Sequence, residues 1–212
     1  MVSPRPTIIK LGGSLARERQ FARWLEAIRN CKSGAIVAPG GGMFADCVRE
    51  AQASMRFSDA AAHRMALLAM EQYAIACASS FPDMLLLRDE AQLRLMGEGR
   101  IAFWLPSGMA LGADDLPENW QLTSDSLAAW LALRLDAPAL VLIKSVTAKA
   151  DPITAEALVE REIVDPLFAR FAARTNAEIR LAGPADLAGA GAKFAAGDLP
   201  GARVLAHAGA HV

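Results

Sequence analysis

Two short apolar runs, each stopped by glycines and each followed by helix-patterned sequence, constrain this chain more than any other feature. The first is Ile8-Ile9-Lys10-Leu11, which ends at Gly12-Gly13-Ser14, and the second is Ala35-Ile36-Val37-Ala38, broken by Pro39-Gly40-Gly41-Gly42. A β-branched, apolar run that stops at glycine reads as a buried strand entering a tight turn. The spacing of Phe21, Trp24, Leu25 and Ile28 then predicts a helix over residues 15–30, and residues 43–53 read as the helix of a second such unit. Strand–turn–helix units in series call for a mostly parallel sheet with helices on both faces, because parallel neighbours need a crossover connection.

The rest of the chain continues the pattern. A long helix is expected from Ser58 or Asp59 to about residue 78, and further helices over 124–135 (capped by Ser124 or Asp125), 154–159 and 166–173. Strands are expected at 84–87, 101–105, 139–143, 178–181 and 203–205, with a small-residue helix in the Ala/Gly-rich stretch 185–196. Residues 114–119 read as a polar loop. Neither a linker nor a repeat of solenoid period interrupts the 212 residues, so residues 1–212 are expected to form one domain.

Composition narrows the partners. An apolar share of 53% excludes intrinsic disorder, and the longest apolar stretches fall far short of the roughly 20 residues that span a bilayer. Scattered basic residues, 22 against 23 acidic ones, leave a net charge of −1. A nucleic-acid surface needs clustered positive charge, so small molecules are the expected partners. No secretory leader is visible. Cys31, Cys47 and Cys77 show no CxxC spacing and read as reduced thiols buried in helices, which points to a cytoplasmic protein. His63, His207 and His211 make no metal-site spacing with them, and no metal site is expected.

The chemistry is expected at the two glycine turns. Each places glycines at the carboxyl end of a strand and before a helix, where backbone N–H groups and the helix dipole favour an anion. Lys10 points toward the first turn with a full positive charge. Neither GxxxxGK[ST], GxGxxG nor GxSxG is present. One such turn is explained equally well as a tight connection; two in succession favour a phosphate cradle. Thr123-Ser124-Asp125-Ser126 offers hydroxyls and a carboxylate at a helix start, enough both to cap the helix and to orient a lysine. Either Lys144, directly after a buried strand, or Lys149, in the following loop, has the reach to meet a phosphate. A lone helical histidine such as His63 reads first as structural, and His207 and His211 lie in a Gly/Ala tail expected to fray.

With these residues in view, the chain resembles the amino acid kinase family over nearly its whole length. The resemblance rests on IIKLGGSL (8–15), VAPGGGMFADCVR (37–49), LTSDSLAAWLA (122–132) and ALVLIKSVTAKADP (139–152). Within the family it looks most like the 5-(aminomethyl)-3-furanmethanol phosphate kinases of methanofuran biosynthesis. That likeness is carried by Trp120-Gln121-Leu122-Thr123-Ser124-Asp125-Ser126, Ile163-Val164-Asp165-Pro166-Leu167-Phe168, the segment 180–187 and the helix bearing His63.

The resemblance implies an open αβα sandwich, ATP with Mg²⁺, in-line phosphoryl transfer and a homo-oligomer. It assigns Lys10 to the transferring phosphoryl group and Asp125 to orienting lysines. Gly12, Gly13, Ser14, Ser124 and Lys144 or Lys149 would serve the nucleotide, and Gly40, Gly41, Gly42, Arg49 and His63 a phosphorylated small-molecule acceptor. Two positions depart from the family pattern. Ser145-Val146-Thr147-Ala148-Lys149 stands where the family has a VDG-type turn, and the second phosphate lysine of many relatives has no aligned counterpart. The departures keep open a non-catalytic nucleotide- or oxyanion-binding protein on the same fold. A kinase for isopentenyl phosphate, a phosphonate or a carboxylate is the other alternative.

Overall fold

The computed structural model describes residues 5–81, 83–96, 99–149 and 151–206. Strand β1 (Thr7–Leu11) runs through a 3-10 segment (Gly13–Arg17) into helix α1 (Phe21–Arg29). Strand β2 (Ala35–Pro39) leads into α2 (Gly42–Met55) and α3 (Asp59–Ser79). Then come β3 (Leu85–Leu87), α4 (Glu90–Leu95), β4 (Ile101–Trp104), α5 (Ser107–Ala110), α6 (Ser124–Arg134) and β5 (Ala139–Ile143). The order closes with β6 (Ile153–Thr154), α7 (Ala155–Glu160), α8 (Phe168–Ala172), β7 (Glu178–Ala182), α9 (Leu187–Ala196) and β8 (Ala202–Leu205).

Among the described residues the strands form one sheet in the order β3-β4-β2-β1-β5-β7-β8-β6. It is parallel from β3 through β7, and β8 turns antiparallel against β7. The chain leaves β1 for β2 on one side and later returns to it as β5 on the other. The switch point of the sheet therefore lies at the carboxyl end of β1, where open α/β sheets form their ligand crevice.

Strand alternation sorts the core into two layers. Ile8, Ile36, Leu140 and Leu142 face the layer containing α6 and α8. Ile9, Leu11, Val37, Val141 and Ile143 face the opposite layer, with Trp24 and Ile28 of α1 and Phe194 of α9. β1, β2 and β5 are buried along their whole length, as a doubly covered sheet requires.

Three expectations change. The helix expected over 15–30 is two pieces. Leu15 and Trp24, both fully buried, lie about 180° apart on a helical wheel, so one continuous helix could not bring both into the core. The break before Phe21 lets each reach it. Helix α4 adds an element that apolar periodicity does not signal, set by the Asp89 and Gln92 capping box. Of the cysteines, Cys77 alone is both helical and buried: Cys31 is buried just past α1, and Cys47 on α2 is exposed. His207 and His211 lie outside the described residues.

Candidate functional site

The two glycine turns touch each other. A Cβ on Gly13 would stand 2.4 Å from the Gly42 nitrogen, and one on Gly40 would stand 2.4 Å from the Gly13 nitrogen, both far inside van der Waals contact. Gly42 also holds φ +52°, where L side chains are strained. Part of the glycine signal is therefore explained by turn packing on turn, which is what brings the ends of β1 and β2 together.

A cleft of about 360 Å³ opens over these turns, within the range of small-molecule sites. Its lining joins Lys10, Gly12, Gly13 and Ser14 from the first turn with Gly40, Gly41 and Gly42 from the second. Arg49 of α2, His63 of α3, Ser124 and Asp125 of α6, and Lys144 after β5 complete it. Of the residues expected at the site, only Lys149 is missing from the lining: it is exposed on the loop beyond Lys144. The period of two explains the difference. Lys10 continues the row of Ile8, and Lys144 the row of Leu140 and Leu142, so both lysines emerge on the α6 face of adjacent strands.

Asp125 meets them there. Its Oδ1 lies 2.9 Å from Lys10 Nζ, and Lys144 Nζ donates to Oδ1 at 3.0 Å and Oδ2 at 2.8 Å. Lys10 and Asp125 are only 3% and 4% exposed, so the group is screened little by water. Burial depresses the Lys10 pKa to about 8 despite the pull of Asp125. For Asp125 burial acts the other way, yet the two ammonium groups together hold its carboxyl below the usual carboxylate value. The result is a carboxylate that stays ionised and a lysine held on the edge of losing its proton.

The helix that carries Asp125 is not capped as expected. Its N-cap is Thr123, whose side chain accepts no capping bond, and neither Ser124 nor Asp125 supplies one. The buried Asp165 does so from outside the helix. Thr123 donates to Asp165 Oδ2 from its backbone at 3.0 Å and its hydroxyl at 2.8 Å, Ser126 N–H donates to the same oxygen at 3.0 Å, and the Ser126 hydroxyl donates to Oδ1. A cap in trans leaves no trace in the local sequence.

The far wall of the cleft contains residues not expected at the site: Met43, Asp46, Leu67, Met70 and Trp120, the last known only as part of a motif. Arg49 lies over the Trp120 ring, 4.4 Å from its centroid, and pairs with Asp46 at 3.3 Å. The Trp120 indole donates to Gln52 Oε1 at 2.6 Å, which ties the loop before α6 to α2. The available signal was a tryptophan in a polar loop next to TSD. His63 is buried, and burial lowers its pKa against a weaker upward pull from Glu118, which favours the neutral ring.

No family model matches the chain. Solved structures do. Uridylate kinase from Archaeoglobus fulgidus superposes with a TM-score of 0.67 at 19% identity, over 94% of this chain and 100% of that one. UMP kinase from Bacillus anthracis gives 0.64 at 15% identity, over 96% and 98%. The chain has the amino acid kinase fold. On that fold, the described cleft sits at the carboxyl ends of β1, β2 and β5. A curated relative, the [5-(aminomethyl)furan-3-yl]methyl phosphate kinase of Methanocaldococcus jannaschii, is 29% identical over 148 residues, 66% of this chain. The match spans 65% of that relative's length.

Proposed function

We propose that this chain is an ATP-dependent kinase that phosphorylates a small acceptor already carrying a phosphate, namely an aminomethylfuran phosphate, to its diphosphate in methanofuran biosynthesis. The observation that supports the reading most directly is the bridged Lys10–Asp125–Lys144 group, which opens into the same cleft as the two glycine turns. In this reading an acceptor phosphate oxygen attacks the γ-phosphorus of ATP, the bond to the β,γ-bridging oxygen breaks, and ADP leaves. Lys10 and Lys144 offset charge on the transferring group, while N–H groups of Gly12, Gly13 and Ser14 hold nucleotide phosphates with Ser124 alongside. Asp125 orients both lysines. An anionic acceptor needs no general base.

The acceptor would lie on the wall of Gly40, Gly41 and Gly42, with its phosphate toward Arg49 and the His63 N–H. Trp120 offers a flat face to a heterocycle, and Asp46 a carboxylate to an ammonium group. Mg²⁺ would arrive on the nucleotide. Asp125 is committed to two lysines, and among the described residues no group of three or more His, Cys, Asp or Glu side chains is placed to hold a metal ion. On α3, Met65, Leu68 and Ile75 are 38–52% exposed at spacings of one helix face, and we read that stripe as the face of a homo-oligomer, checked by sedimentation mass. No described helix is long and apolar enough to cross a membrane.

The deciding experiment is ADP release from ATP·Mg with the aminomethylfuran phosphate, beside isopentenyl phosphate, which lacks both ring and amine. Turnover with the first and far less with the second is expected. Turnover with neither would overturn a phosphate acceptor, and if phosphonate and carboxylate acceptors also fail while calorimetry shows ATP binding, a nucleotide-binding protein replaces the kinase. Preference for isopentenyl phosphate would overturn the acceptor.

A further inference from the structure

A carboxylate outside the cleft lining, Asp165, has no part in the function proposed above, yet it is 7% exposed and surrounded by donors. Besides the four bonds from Thr123 and Ser126, Leu167 N–H donates to its Oδ1 at 3.2 Å. Its own segment is fixed in place: Ile163 and Val164 donate to the Leu158 carbonyl at the end of α7, and Phe168, three residues on, is fully buried. Five donors on one buried carboxylate hold it in a single orientation, and through it the first turn of α6.

The arrangement costs more than helix capping requires. Thr123 already has extended backbone dihedrals and a hydroxyl, which suffice to accept the Ser126 N–H in the ordinary way. Here that hydroxyl is turned around to donate to Asp165 instead. Burying a carboxylate is unfavourable, and it lies close enough to a second one that burial and the Asp125 charge both push the Asp165 pKa up, against its hydrogen bonds. Relieved of any capping duty, Asp125 keeps both oxygens on the lysines.

We propose that Asp165 is a positioning residue: it caps α6 from outside and so holds the Asp125 carboxylate between Lys10 and Lys144. The inference rests on the kinase reading for its consequence in turnover, but its geometric content can be tested without turnover. The charged groups facing Lys10 are Asp125 from α6 and Lys144 from the end of β5. Any loosening of Asp125 weakens the one interaction that keeps the buried Lys10 protonated.

The test uses the full chain with ¹³Cε-labelled lysine, titrated by NMR without ligand, the Lys10 signal being assigned through Lys10→Arg. In Asp165→Asn the Lys10 midpoint is expected to fall by a unit or more from about 8. The double variant Thr123→Val with Ser126→Ala keeps both carboxyl groups and removes the two hydroxyl donors; ¹³Cγ-labelled aspartate in the same sample reports the pH range in which Asp165 stays ionised, and the lysine shift is read in that range. Positioning predicts a downward shift there too, whereas a through-space effect of the Asp165 charge predicts none. In the kinase assay kcat should drop roughly tenfold to a hundredfold, the scale of a misplaced reacting group, with KM for both substrates nearly unchanged. A lower melting temperature with an unmoved Lys10 titration in both variants would reduce Asp165 to a helix cap and overturn the proposal. If Asp165→Asn does not fold, the double variant decides. A wild-type protein without kinase activity would sink the kinase reading while leaving the lysine titration as the judge of this one.

Discussion

The two walls of the cleft are built by different means. One wall comes from the carboxyl ends of β1 and β5 and the first turn of α6: two lysines, one carboxylate and backbone N–H groups, nearly all buried and mutually bonded. The other comes from α2, α3 and the loop carrying Trp120, and consists of side chains from separate elements: Arg49 against Trp120, Trp120 against Gln52, and His63 from α3. The first is rigid because strand register and helix capping over-determine it. The second is held by single contacts between long side chains. Under the proposed function, the rigid wall would serve the transferring phosphoryl group and the adjustable wall the acceptor, and each side is expected to fail in its own way.

The largest effect should come from the rigid wall. Lys10→Ala is expected to lower kcat by about a thousandfold or more, at the upper end of what loss of one preorganised donor costs. Steady-state rates check it, and near-normal turnover would remove Lys10 from the mechanism. Next is a pH effect on stability from the same residue. Its folded pKa of about 8 lies below the ordinary lysine value of 10.5, so between those values the unfolded chain binds more protons and folding stability rises with pH. Below pH 8 the full cost of burying the charge is present, on the order of 3 kcal/mol. Denaturant titrations at pH 7 and above 10 should show Lys10→Met gaining on the wild type at the lower pH and losing that advantage at the higher. Comparison with the variant matters because buried Cys77, its thiol pushed up to about 12, works in the opposite direction.

Smaller losses should follow from the contact between the walls and from the adjustable wall. In Gly13→Ala the new Cβ meets Gly42 backbone, not a movable side chain, so overpacking of about 1–3 kcal/mol is expected from a thermal melt. A melt as high as the wild type's would show that the turns can part. Trp120→Ala should raise acceptor KM about tenfold, the scale of a lost aromatic contact, and leave KM for ATP unchanged. Equal changes in both constants would contradict the separation of the walls.

Legibility in the sequence follows the same division. Lys10, Gly12, Gly13, Gly40, Gly41, Gly42, Asp125 and Lys144 all stand within a few residues of a strand end or helix start, and all line the cleft. Lys149 looked as suitable as Lys144 in the sequence, and strand alternation separated them: Lys144 continues the inward row of β5, and Lys149 sits on an exposed loop. Trp120 was legible as part of a motif, but its pairing with Arg49 and Gln52 joins residues 71 and 68 positions apart and leaves no periodic trace.

The sequence by itself determined the alternation of buried strands and helices, the two glycine turns, and a lysine at the end of β1, because these depend on side-chain period and backbone freedom over a few residues. Only the tertiary structure decided that the turns interlock, that Asp125 bridges two lysines, and that Asp165, 39 positions beyond Ser126, caps the helix between them. Those are hydrogen bonds and contacts between distant segments, and parallel crossovers bring such segments together without any local pattern to announce it.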